Sequence, residues 1–156
     1  MNEQKKKLKL VSNGHALGIQ PNVWKNALSQ AKPDPVVHIR HAAIGGNADY
    51  RIHVAAILQK VGCHFHAHGN EDYAIVSGHG TLHWGKVVPS SNGPNVVWEK
   101  PVDVDTGDSF VIPEGYAHQL AKHGEEDLII LFGCPDAHLD DSIDRTILPN
   151  APTLET

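Results

Sequence analysis

Cysteine, basic charge and long apolar runs are all scarce in this chain of 156 residues. Its two cysteines, Cys63 and Cys134, are too few for a disulfide framework, and a reducing compartment keeps them as thiols. Neither lies in a CxxC pair, which excludes a zinc ribbon. Lys and Arg number 13 against 18 Asp and Glu, and a formal net charge of -5 argues against a general nucleic-acid binder. The run Lys5 to Lys7 is short and reads as a solvated tail. No stretch approaches the roughly 20 apolar residues of a membrane span. The first residues lack the apolar core of a secretory signal, so the cytoplasm is the expected compartment.

What is present is an ordinary globular composition, 40% hydrophobic and 20% charged, with enough residues for one domain and its core. Up to about Ala48 the chain reads as an irregular extension. Pro21 to Ala31 can form a short helix, with Pro21 in its first turn and "KPDP" as its stop. From Tyr50 the texture changes to β-branched runs of strand length, such as "YRIHVAAIL", "EDYAIVSG", "GTLHWGKVV" and "DLIILFG", each cut by turn residues. Many short strands with hardly any helix predict an all-β sandwich or barrel. Three segments follow. Residues 1–47 form an extension packed on the barrel or on a dimer partner, 48–135 the barrel core, and 136–156 a terminal arm or short helix.

Histidine, with 12 copies, is the outlier. In "GCHFHAHGNEDYAIVSGHG" (Gly62 to Gly80) His64, His66 and His68 fall at alternate positions, and alternate residues of a strand face one side. Gly69 and Asn70 signal a turn, after which Glu71 opens a partner strand and returns its carboxylate toward the imidazoles. Such a cluster is costly in a core and well suited to a divalent cation. Exposed histidines on a hairpin are the bland alternative. A second segment, "GDSFVIPEGYAHQLAK" (Gly107 to Lys122), places Pro113 and Gly115 in a tight turn and His118 three residues beyond.

Together the two segments resemble the cupin superfamily, whose motifs read G-x5-H-x-H-x3,4-E-x6-G and G-x5-P-x-G-x2-H-x3-N. His64, His66, Glu71 and Gly78 match the first, and Gly107, Pro113, Gly115 and His118 the second. Leu58 stands where the first motif has its leading glycine, and Lys122 where the second ends in asparagine. A shifted register would pair His66 with His68 and take Asp72 as the carboxylate. It would also put His79 at the turn glycine, so the first register is preferred. The resemblance implies a double-stranded β-helix, that is, a cupin-like jelly-roll barrel. It also implies one divalent transition metal (Mn, Fe, Ni or Zn) held by His64, His66, Glu71 and His118. Four protein ligands leave about two positions of a six-coordinate ion for substrate or water.

Strand parity turns Tyr73 toward the cavity, either as a group that hydrogen-bonds a substrate, the one nearby catalytic candidate, or as part of the barrel wall. Cys63, Trp84, Trp98, Phe110 and Phe132 read as packing, and His79, His83, His123 and His138 as surface groups. Arg40 and Arg51 are candidates for anchoring a carboxylate substrate. The resemblance implies an enzyme acting on a small oxygen-rich molecule such as an enediol, dicarbonyl or hydroxy acid. Dioxygenase chemistry is the favoured expectation, and a metal-dependent decarboxylase or isomerase, or a non-catalytic binding cupin, is the alternative. The partners expected are a small-molecule substrate and a second copy of the chain, with no nucleic acid and no membrane.

Overall fold

The computed structural model describes Ile19 and residues 21–152. The Lys5 to Lys7 run and most of the segment before the helix lie outside the described residues. Helix α1 (Pro21–Leu28) turns Trp24, Ala27 and Leu28 onto one sheet, where they meet Val54, Ala56, Ala74, Ile129 and Leu131. Among the described residues there are twelve strands: β1 (Lys32–Asp34), β2 (Ile39–Asn47), β3 (Tyr50–Ile57), β4 (His64–Phe65), β5 (Glu71–Ser77), β6 (His79–Ser90), β7 (Gly93–Trp98), β8 (Val102–Asp105), β9 (Ser109–Ile112), β10 (Tyr116–Lys122), β11 (Leu128–Cys134) and β12 (Thr146–Ile147). One sheet runs β1-β2-β3-β11-β5-β9. The other runs β12-β4-β10-β6-β7, with β8 also on β6. Every pairing is antiparallel.

The two sheets close over one core, in which Ile57, Ile75, Leu82, Trp84, Ile112, Leu128 and Phe132 are buried. Alternation sorts these residues. On β3, Ala55 and Ile57 face the interior, while Val54 and Ala56 face α1. Trp98, expected in the core, is half-buried.

Two boundaries differ from the expectation. From Lys32 onward the segment expected as an extension is sheet, because β2 pairs with β3 along its length and β1 pairs with β2. The signal was hidden because β2 ends in Gly45 and Gly46, where a register shift after Ala43 and a φ of 106° at Gly46 break the alternation. After Cys134 the chain makes one 3-10 turn (Asp136–Leu139) and then β12. The terminal segment therefore returns to pair with β4, the strand that carries His64.

The motif glycines occupy turns that need them. Gly78, Gly107 and Gly115 have φ values of 82°, 95° and 77°. At Gly78 a Cβ would also lie 2.6 Å from the Asp127 carbonyl oxygen. Gly78→Ala is therefore expected to lower stability by about 1–3 kcal/mol, read from the midpoint of urea unfolding. An unchanged midpoint would contradict the strain argument.

Candidate metal centre

β4 pairs with β10 at a single register point, His64 opposite His118. Both imidazoles enter the barrel there, joined by His66 two residues on. One ligating atom from each of His64, His66 and His118 lies within 4.8 Å of the others, and all three side chains are buried. Glu71, at the start of β5, brings Oε2 to 3.1 Å from His66 Nε2 and Oε1 to 3.4 Å from His118 Nε2.

The backbone decides which nitrogen of each ring faces inward. His64 Nδ1 lies 2.7 Å from the Gly62 carbonyl, His66 Nδ1 2.7 Å from that of Asp144, and His118 Nδ1 3.1 Å from that of Tyr116. A carbonyl can only accept, so each Nδ1 carries a proton and each ring turns its Nε2 inward. The Nε2 atoms of His66 and His118 are buried and have no hydrogen-bond partner. An unprotonated Nε2 facing a carboxylate repels it unless a positive charge sits between them. The donor set, three imidazole nitrogens and one carboxylate, fits a divalent transition metal.

The electrostatics agree with that reading. Burial, and then the neighbouring His118 and His66, push the His64 imidazole well below its ordinary value, so it stays neutral and able to ligate. Burial works to raise the Glu71 carboxyl, yet its contacts with His118, His138 and His66 outweigh it and keep the group ionised.

Tyr73 reaches the cavity, but its hydroxyl donates to Glu71 Oε1 at 2.5 Å. His68 is exposed, and Asp72 accepts from the Tyr50 hydroxyl at 2.6 Å, so the alternative register does not converge. Arg51 pairs with Asp136, and Arg40 donates to the Ala31 carbonyl. Neither lines the central cavity.

Two histidines expected at the surface are buried. His83 is 6% exposed on β6, and His138 is 0% exposed. His138 Nδ1 lies 2.8 Å from Glu71 Oε2, and its ring stacks on His66 with centroids 4.0 Å apart. The sequence reading missed it because His138 stands 67 residues from Glu71 in a segment without periodicity. Arg145 was missed for the same reason. It lines the cavity and is held by Asp141 and Asp34. The terminal segment thus forms one wall of the site. Asp144 accepts from the backbone N–H groups of Ala67 and His68, and Leu148 donates to the Cys63 carbonyl.

The cavity at the imidazoles has a volume of about 30 Å³. Beyond the polar cluster its walls are apolar, including Val37, Ile39, Leu120, Ile130 and Phe132.

A family profile described as the polysaccharide biosynthesis C-terminal domain matches residues 37–146. No curated protein sequence matches the chain. Among solved structures, a protein with a double-stranded β-helix domain from Klebsiella pneumoniae is similar at 15% identity and TM-score 0.56, covering 78% of this chain and 93% of that one. A hydroquinone 1,2-dioxygenase in complex with Cd2+ and 4-hydroxybenzonitrile is similar at 18% identity and TM-score 0.54, covering 75% and 77%. Lactobacillus farciminis oxalate decarboxylase, in its formate complex, gives 18% identity and TM-score 0.53, covering 77% of this chain. The chain spans 34% of that enzyme's length. At these identities the likenesses show the fold, which is the cupin double-stranded β-helix.

Proposed function

The chain belongs to the polysaccharide biosynthesis C-terminal domain family, and from that premise we propose a metal-dependent cupin enzyme acting on a small substrate that chelates through two oxygens. One observation carries the reading. Three histidines tied at Nδ1 by backbone carbonyls bring their ligating atoms together, with the Nε2 atoms of His66 and His118 facing an ionised Glu71. His64, His66, Glu71 and His118 would hold the ion. A divalent cation there supplies Lewis-acid polarisation of a chelated carbonyl and, if redox-active, access to dioxygen chemistry. Manganese, iron, nickel and zinc all suit this donor set.

The chain's own residues shape what can bind beside the ion. The apolar wall excludes water and suits a compact substrate with few polar groups beyond the chelating pair. Arg145 spends three of its N–H donors on Asp34 and Asp141, and those left over can meet a further substrate oxygen. A hydroxycarbonyl, enediol or dicarbonyl derived from a sugar fits both the family and the donors. Similarity in fold to a dioxygenase and a decarboxylase supports chemistry of those kinds. The reading extends to a homodimer, and to the cytoplasm, where two buried free thiols persist.

The second reading is a non-catalytic metal-binding module, which the small volume of the cavity, about 30 Å³, favours. Loading the protein with Mn2+, Fe2+, Ni2+ or Zn2+ and offering enediols, dicarbonyls and hydroxy acids separates the two. Oxygen uptake, carbon dioxide release and product NMR are the readouts. Turnover that a chelator stops is the expected result. Silence of every loaded form across the panel would favour the binding module.

A further inference from the structure

Glu71 is 3% exposed, and each of its two oxygens meets one protein donor and one imidazole nitrogen of the cluster. Tyr73 donates to Oε1 at 2.5 Å and His138 Nδ1 to Oε2 at 2.8 Å. Each carboxylate oxygen has two lone pairs. One on each side is thus spent on a fixed donor, and the other remains for the cluster.

The His138 ring is itself fixed. Its Nε2 lies 2.6 Å from the His68 carbonyl, which can only accept, and its face stacks on His66 with an interplanar angle of 0°. Both ring nitrogens therefore donate, one to the backbone beside the His64–His66 strand and one to Glu71. Turning Glu71 would leave two buried donors without an acceptor. We infer that His138 and Tyr73 are a pair of positioning residues that lock Glu71 in its ion-holding orientation. The inference rests on the metal-centre reading above.

The test uses the full chain and Co2+ as the probe. Affinity is measured by competition with a chelating dye, ligand number by the visible and near-infrared spectrum, and folding by thermal melts without metal. His138→Ala and Tyr73→Phe are each expected to weaken Co2+ binding about 10–100-fold, with the nitrogen ligands in the spectrum unchanged in number. His138→Asn, whose side-chain N–H can stand in for Nδ1–H, is expected to recover most of the affinity. His138→Gln, which imitates only the contact with the His68 carbonyl, is not. If His138→Ala does not fold, the Asn and Gln pair decides.

Unchanged affinity in His138→Ala would overturn the inference. Loss of one nitrogen ligand in that variant would make His138 a ligand instead, and rescue by Gln but not Asn would make it a structural plug. Failure of the metal-centre reading itself looks different. Wild-type protein would then show no Co2+ site, or one that His64→Ala leaves unchanged.

Discussion

Alanine at His64 or at His118 is expected to remove tight metal binding, beyond the roughly 10–100-fold loss typical of a neighbouring contact. Each change takes one of the four donors from the site, while His138, which sits with His66 and Glu71, is already engaged by Glu71 and the His68 carbonyl. His68 is exposed. The fold should survive. The Nδ1 of each ring binds only a carbonyl two residues back, so losing the ring removes no side-chain hydrogen bond between strands. Thermal melts make the contrast measurable. Free metal at about 100 times its dissociation constant adds about 2.7 kcal/mol, which for a chain of this length raises Tm by roughly 5–10 °C. Wild type should show that rise and both variants should not. An exposed control, His79→Ala, should behave as wild type. A full rise in His64→Ala and in His118→Ala would show that these residues are not the ligands.

Acid is expected to destabilise the metal-free protein well above the pH at which carboxylates protonate. Burial, with His41 nearby, lowers His53 to about 4, and His64 is lowered too. A histidine depressed in the folded state binds fewer protons there than when unfolded. Its neutral form therefore weakens folding as pH falls below about 6.5, until the folded value is reached. For His53 this amounts to about 2 kcal/mol by pH 5. His138 has the opposite sign. Burial opposes its charge, but Glu71 and the His68 carbonyl raise it, so its contribution is present in acid and fades as pH rises. Glu71 adds stability that is lost only as pH falls through its depressed value. Four lowered histidines, His41, His53, His64 and His83, against one raised, His138, leave a net loss between pH 7 and pH 5. His53→Leu keeps an apolar side chain against Phe132, removes the unpartnered buried Nδ1, and should flatten that slope. Urea midpoints for both proteins across that range provide the test, and identical slopes would contradict the assignment.

The sequence and the structure agree where the chemistry is local. His64 and His66 share a face because they are two apart on an extended chain. Glu71 follows a Gly-Asn turn, and the paired turn at Pro113 and Gly115 sets His118 opposite His64. Spacing alone carries that information. It does not carry contacts made across the fold. Asp144 fixes the His66 tautomer from 78 residues away, and His138 reaches Glu71 from 67. Neither residue sits in an alternating or helical pattern, so nothing nearby marks it as inward. Arg145 had a faint signal as one of three arginines, but its burial depends on Asp34 from β1, itself unrecognised as a strand. Gly45 and Gly46 hid β2 because a bulge and positive φ imitate a loop.

Crystals grown with Zn2+ or Mn2+, with data collected at the metal's absorption edge, test the central claim most directly. The predicted result is one anomalous peak inside the barrel, about 2.0–2.3 Å from the inward nitrogens of His64, His66 and His118 and from a Glu71 oxygen. An empty barrel in crystals that bind the ion elsewhere, or a peak held by His68 and Asp72, would contradict it.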